Sequence, residues 1–275
     1  MNNPTEKERF HHEEEFHDQW ALSEDVKNID VLNINESITA PEMRQITQSL
    51  GDLTNLRLLD LGCGRGEASV YFALQGAKVT STDISGKMLE LTQELGRRYG
   101  VDLTTHKSTA EELLLGHEKQ FDVIYAGNLF HHIDLEAVLP RLTALLKDDG
   151  RLASWDPLAY NPIINVYRKM AMKVRTVDEH PLKVSDLKNF RNYFGKVELK
   201  YYWFSTLLIF IIMAVVQFRN PNKVRYWKKV VEEGKKWAPL YRPLAAFDRF
   251  ILAIFPPLKY LCWNVVVIAS EPIQN

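Results

Sequence analysis

The feature that most constrains this fold is Leu58-Leu59-Asp60-Leu61-Gly62-Cys63-Gly64-Arg65-Gly66-Glu67, a short apolar run ending in three alternate glycines. It reads as a strand delivered to the mouth of a helix. Glycines at alternate positions let the backbone take positive φ and approach a ligand that a Cβ would hold off, while the first helical turn offers unpaired N–H groups. Asp60 adds a carboxylate beside this loop. A dinucleotide fingerprint sets its third glycine one residue later, where Glu67 stands, so the spacing fits NAD less well although the architecture is similar. The ligand-free alternative is a tight strand-to-helix turn.

The next strand, Ala77-Lys78-Val79-Thr80-Ser81-Thr82-Asp83, ends in an acid about 20 residues past the glycines, where doubly wound folds place the carboxylate that binds a ribose diol. A solvated strand end or helix cap is the plainer use of Asp83. Phe121 to Asn128 reads as a later strand, and Leu145 to Leu152 as the turn into the one after it. In this order the segments resemble the class I S-adenosylmethionine-dependent methyltransferases, over roughly residues 55 to 156. The resemblance implies a Rossmann-like, doubly wound α/β fold: a seven-stranded, mostly parallel sheet with an antiparallel last strand. It also implies S-adenosylmethionine as cofactor. Asp60, Gly62, Gly64 and Gly66 would flank the methionine part, Asp83 the ribose hydroxyls and Ile84 the adenine, with Asn128 beside the cofactor after the fourth strand. The family often has an acid or amide before an apolar residue at the adenine edge, where this chain has Thr109-Ala110.

Periodicity predicts strands over 57–61, 77–82, 102–106, 121–126 and 150–155, with helices from Glu67, over 85–98 and over 134–146. Beyond Asp156 it predicts a helix from Ser185 to Phe194 and strands from Lys196 to Trp203 and Trp263 to Ala269. The chain thus divides into an N-terminal helical cap (1–50), a cofactor-binding domain (51–203 and 261–270) and a helical insertion (204–260). In the cap, Phe16 and Trp20 share one face of a helix from Glu13 to Trp20, which either closes over the cofactor or packs on the surface.

With 275 residues there is chain enough for one large domain with an elaboration. A net charge of −1 gives no global field for nucleic acid. Two cysteines, Cys63 and Cys262, make neither a disulfide framework nor a metal-ligand cluster, so no metal is expected and a reducing cytoplasm is the default. Met1 to Trp20 lacks the apolar centre of a signal peptide.

The insertion opens with Phe204 to Val216, apolar on every face. A single membrane crossing would leave the final strand on the wrong side of the sheet, and the later apolar segment carries Asp248, Arg249, Pro256, Pro257 and Lys259. The run therefore suits a buried helix or one lying in a membrane surface. The basic stretch Lys223, Arg225, Lys228, Lys229, Lys235 and Lys236, with Trp227 and Trp237, suits either peripheral contact with an anionic membrane through 204–237, on its inner face, or an ordinary solvated helix. A lid over a lipophilic acceptor is the other use of this segment.

Methyl transfer needs alignment, exclusion of water and, for some acceptors, removal of a proton. Asn128-Leu129-Phe130-His131-His132 lacks the Pro-Pro motif of enzymes acting on nucleobase or glutamine amines, and the tandem histidines resemble small-molecule methyltransferases instead. His132 is the candidate base, or a structural histidine at a loop. Asp156, Tyr160 and Asn161 are acceptor-side candidates because ligands of open α/β sheets bind beyond the carboxyl ends of strands, although Asp-Pro and Asn-Pro also build turns. Arg168 and Arg175 are candidates for an acceptor's phosphate or carboxylate, or members of an internal salt-bridge network. The expected function is methylation of a small, lipophilic or lipid-linked molecule; the alternatives are a soluble secondary-metabolite methyltransferase with the insertion as lid, or a cofactor-binding scaffold.

Overall fold

Short apolar runs bounded by turn residues form the strands of a single sheet. The structure is a computed structural model that describes residues 6–113, 118–171 and 179–273. The strands are β1 (Arg57–Leu61), β2 (Lys78–Asp83), β3 (Thr104–Lys107), β4 (Phe121–Gly127), β5 (Leu146–Pro157), β6 (Phe194–Tyr202) and β7 (Asn264–Pro272), in the order β3-β2-β1-β4-β5-β7-β6. β1 to β5 pair in parallel, whereas β7 runs antiparallel between β5 and β6. Seven strands, mostly parallel with the last reversed, match the sequence expectation. β5 starts four residues earlier than predicted because Leu146 already pairs with Phe121, ahead of an irregular step between Phe121 and Val123.

The helices are α1 (Glu6–Leu22), α2 (Val31–Glu36), α3 (Pro41–Leu50), α4 (Glu67–Leu74), α5 (Gly86–Tyr99), α6 (Leu135–Leu145), α7 (Pro162–Met170), α8 (Val184–Tyr193), α9 (Leu208–Ile211), α10 (Tyr226–Glu232) and α11 (Gly234–Ile254). Side chains alternate across the sheet, so each strand feeds two cores. Leu58, Val79, Val123 and Val266 face the core under α3, α4 and α5. Leu59, Ile124, Val265 and Val267 face the other, where α6 and α8 pack.

The insertion builds a third core of its own on α7. Leu207, Ile209, Phe210 and Met213 are buried there with Tyr167, Trp203, Tyr226, Trp237 and Tyr241. Asp248 of α11 is buried and caps the start of the apolar run, accepting from the Ser205 N–H at 2.8 Å and the Thr206 hydroxyl at 3.0 Å. That run is a 3-10 turn, the short α9 and a π turn rather than one long helix, with Leu208, Ile211, Val215 and Val216 exposed. Among the described residues no helix is long and apolar enough to cross a membrane. The basic helix does not present Lys228 outward. Lys228 lies over the Trp20 ring at 4.0 Å and pairs with Glu24 at 3.3 Å, so its ammonium is held beside the glycine loop, where Glu24 also meets Arg65.

Candidate functional site

The glycine loop is built by strain that only glycine carries cheaply. Gly64 has φ +52° and Gly66 φ +80°. A Cβ on Gly64 would meet nothing within 4 Å, so its missing side chain is open space beside the sheet end. A Cβ on Gly66 would lie 2.6 Å from Thr92, which makes that glycine a packing requirement between the start of α4 and α5. At Gly62 a Cβ would meet only the movable end of the Leu129 side chain, at 2.8 Å, so its φ of +68° rather than crowding calls for glycine there. β2 fixes the loop from the side: the Cys63 N–H donates to the Thr82 carbonyl at 2.8 Å, and the Gly64 N–H donates to Asp83 Oδ2 at 2.9 Å. Asp83 Oδ1 accepts from the Ser85 N–H at 2.9 Å. Burial pushes the Asp83 carboxyl above the usual carboxylate range, against the pull of His17 and these two N–H donors.

Two cavities meet at this loop. One, of about 200 Å³, is lined by Gly62, Gly64, Asp83, Ile84, Ala110 and Asn128, among others. The second, of about 230 Å³, has Asp60, Glu42, Asn264, Trp203 and Trp227 in its lining. They share Gly62, Gly64, Asn128, Trp155, Trp227 and Trp263. Asn128 stands at φ +58°, and its N–H donates to the Trp155 carbonyl at 2.7 Å, which joins the ends of β4 and β5 under both cavities.

Comparison with known proteins agrees with this geometry. Residues 58–150, from β1 to the turn into β5, match the family described as a methyltransferase domain. The chain carries a class I S-adenosylmethionine-dependent methyltransferase domain. The ubiquinone biosynthesis O-methyltransferase of Bordetella parapertussis is 32% identical over 117 residues, 42% of this chain and 48% of that protein. The protein of the same name from Haemophilus ducreyi is 29% identical over 157 residues, 55% of this chain and 64% of that one. The chain thus spans about half to two thirds of the length of these relatives. A Thermotoga maritima structure described as a methyltransferase, possibly a histamine N-methyltransferase, superposes with a TM-score of 0.56 at 15% identity, covering 96% of this chain and 99% of that one. At that identity the likeness speaks for the fold alone.

The residues of the methyltransferase domain fit S-adenosylmethionine. The open space at Gly64 admits a backbone-hugging ligand. Asp83 keeps lone pairs beyond its two N–H contacts, and Ile84 and Ala110 give the same cavity apolar surface. Thr109 lines it too, although its hydroxyl also accepts from the Glu112 N–H at 3.1 Å. Asp60 belongs to the second cavity, 1% exposed and receiving the Ser69 hydroxyl at 2.5 Å. Gly66 lines neither cavity, so its part is to seat α4.

The acceptor-side expectations divide. His132 lines the first cavity, with Nδ1 3.3 Å from Glu13 Oε1. Asp156 does not reach it. β5 runs on to Pro157 and Asp156 pairs with Val265 of β7, so the carboxylate is fully buried and receives both the N–H and Nδ1 of His131, at 3.2 and 2.9 Å. It positions a histidine. Tyr160 is 42% exposed, outside both cavities, and its hydroxyl accepts from the Val184 N–H at 3.0 Å. Asn161 caps α7 through Ile164 at 3.0 Å. Arg168 lines the first cavity, while Arg175 lies outside the described residues. α1 contributes Glu13, Phe16, His17 and Trp20 to the lining of the first cavity.

Sequence reasoning missed Glu42, Arg65 and Glu24. Arg65 is buried beside the loop, paired with Glu67 and with Glu24 at 2.6 Å, and the same Glu24 reaches Lys228 of the insertion. Burial lowers Lys228 to about 7, helped by Arg65. Glu42 accepts from Asn264 Nδ2 at 2.7 Å, yet burial raises it to about 7. This has a stability consequence. Below pH 4.5 both folded and unfolded chains hold the Glu42 proton; between 4.5 and about 7 only the folded chain does, so stability falls as pH rises through that window. The full loss is on the order of 3 kcal/mol from Glu42. Glu42→Gln is expected to flatten the dependence, seen as a smaller drop in the urea midpoint between pH 5 and pH 8 than wild type shows; equal drops would refute it.

Proposed function

We propose that the domain transfers a methyl group from S-adenosylmethionine to a small lipophilic acceptor seated in the aromatic cavity beside the glycine loop. The observation that carries this is the junction of the two cavities: one holds Asp83, Ile84 and Ala110, the other Trp203 and Glu42, and Trp155, Trp227 and Trp263 line both. Aromatic side chains offer large apolar surface, and a few polar groups such as Glu42 and Asn264 suffice to orient an acceptor. The name of the curated relatives, ubiquinone biosynthesis O-methyltransferase, supports a lipophilic acceptor and transfer to oxygen.

When bound, S-adenosylmethionine supplies an electrophilic methyl group on sulfur. The chain's own work is to hold, exclude water and manage a proton. α1 and α10 cover the cavities, with Trp20 of α1 packed under Arg225 at 3.8 Å and Lys228 at 4.0 Å. His132 is the base for an acceptor hydroxyl, and Glu13 fixes its ring through Nδ1.

A membrane-borne acceptor is favoured by the outer surface of the insertion. Val215, Val216 and Phe218 after α9, and Phe250, Ile254 and Phe255 at the end of α11, are each more than half exposed. Arg242, Arg249, Lys235 and Lys236 are exposed on the same helix α11. An apolar surface beside basic residues suits an anionic bilayer. One experiment tests the reading: purified protein, methyl-labelled S-adenosylmethionine, and aqueous and lipid extracts, the latter dispersed in anionic vesicles. Label is expected in the lipid fraction, and Phe250→Ser with Phe255→Ser is expected to lower both vesicle co-sedimentation and that label. Label in the aqueous fraction alone would sink the lipophilic acceptor; no label in either would leave a cofactor-binding scaffold.

A further inference from the structure

Two histidines and a carboxylate converge at the edge of the first cavity, and each histidine already has a carboxylate on one ring nitrogen. His131, His132 and Glu179 each offer a donor atom, and these atoms all lie within 4.8 Å of one another. His131 Nδ1 is held by the buried Asp156 at 2.9 Å, and His132 Nδ1 by Glu13 at 3.3 Å. The His180 N–H donates to the His131 carbonyl at 2.7 Å, which fastens the neighbour of Glu179 to the histidine pair. The two rings stand 4.1 Å apart between centroids, and all three residues line the cavity that holds Asp83 and Ile84.

From this geometry we infer that His131, His132 and Glu179 form a site for a divalent first-row transition ion such as Zn²⁺, Mn²⁺ or Co²⁺. Metal-ligating histidines characteristically give their second ring nitrogen to a carboxylate, which fixes the tautomer and raises ligand basicity. Asp156 of β5 stands in that relation to His131, and Glu13 of α1 to His132. Two imidazoles and one carboxylate form a borderline donor set that suits these ions and leaves coordination positions open; Mg²⁺ and Ca²⁺ prefer all-oxygen sites. A four-coordinate ion with bonds of ~2.1 Å spaces its donors ~3.4 Å apart, so the cluster needs to close by at most about 1.4 Å from its 4.8 Å limit. With the backbone beside Glu179 fastened to His131, that closure falls to rotation of the long Glu179 side chain toward the imidazoles, which sit on the 3-10 turn Phe130–His132.

The role of the ion rests on the proposed methyl transfer, although its binding does not. With the ion bound, His132 is a ligand in place of the base: the cation would lower the pKa of an acceptor hydroxyl so that its proton leaves to solvent, and would hold the oxygen as the anion until it takes the methyl group and S-adenosylhomocysteine departs. The acceptor class then narrows to molecules with an ionisable hydroxyl, alone or beside a second oxygen that completes the coordination.

The test is direct binding. Protein stripped with chelator is titrated with Zn²⁺ by calorimetry and with Co²⁺ by visible absorption, using wild type, Glu179→Gln, His132→Ala and a His11→Ala/His12→Ala control that removes exposed histidines of α1. One equivalent is expected for wild type and for the control, with at least tenfold weaker binding in Glu179→Gln and His132→Ala, each checked for a native circular dichroism spectrum. Absence of binding in wild type, or binding lost only in the α1 control, would overturn the site. Glu179→Gln, on a loop, keeps the test decisive should His132→Ala fail to fold. Metal binding without methyl transfer would overturn the proposed activity and leave the site standing; transfer without metal binding would do the reverse.

Discussion

Gly66→Ala is expected to destabilise the fold by about 2–5 kcal/mol, from two sources. A non-glycine residue held at the left-handed φ of +80° costs roughly 1–2 kcal/mol. The added Cβ would also lie 2.6 Å from Thr92 Cγ2, 2.7 Å from its Oγ1 and 2.8 Å from its Cβ, and the last of these is fixed to the α5 backbone, so turning the Thr92 side chain cannot clear the clash. Overpacking of this kind costs typically 1–3 kcal/mol. The same Thr92 hydroxyl donates to the Gly64 carbonyl at 3.1 Å, so a shift of α5 disturbs the ligand loop as well. Chemical denaturation of wild type, Gly66→Ala, Thr92→Ala and the double variant separates the sources. Thr92→Ala removes two of the three close atoms and should restore part of the loss; a double variant no better than the sum of the singles would show that backbone strain alone is at work.

That prediction touches the part of the chain most legible from sequence. The glycine loop, Asp83 and the strand order follow from local pattern, because a strand, a turn and a helix start are set by neighbours within about ten residues. Tertiary pairing was not so visible. Lys228 meets Glu24 across 204 positions, and Glu42 meets Asn264 across 222, with nothing in either segment to announce the partner. Asp156-Pro157 has the composition of an exposed turn, but the returning β7 pairs with both residues and draws the carboxylate into the sheet. The histidine pair was legible as a candidate base. Its convergence with Glu179 was not, because a ligand set spread over 48 positions without a short spacing motif carries no sequence signal. Amphipathic pattern misled in the insertion for a similar reason. Lys228 has the composition of a solvated or lipid-facing residue, yet Trp20, Arg65 and Glu24 give it a more specific place.

Asp83→Ala should leave a folded protein whose affinity for S-adenosylmethionine falls by on the order of 2–4 kcal/mol, a loss of roughly 30-fold to 1000-fold. Two contributions combine. The carboxylate is the candidate acceptor for ribose hydroxyls, and charge-assisted hydrogen bonds of that kind are worth about 1.5–3 kcal/mol each. It also holds the N–H groups of Gly64 and Ser85, so its removal frees the loop that must approach the ligand. Asp83→Asn divides them: the amide oxygen keeps one N–H contact, while its NH₂ faces the other N–H donor and the charge is gone. Its affinity is expected to fall between wild type and alanine. The fold should suffer less than the site, because burial already raises the Asp83 pKa and alanine relieves that desolvation. Calorimetric titration with S-adenosylmethionine, beside a thermal melt of each variant, checks the ordering. An unchanged dissociation constant in Asp83→Ala would remove this residue from the cofactor site; a loss of affinity matched by collapse of the melt would make it a residue of the loop's architecture alone.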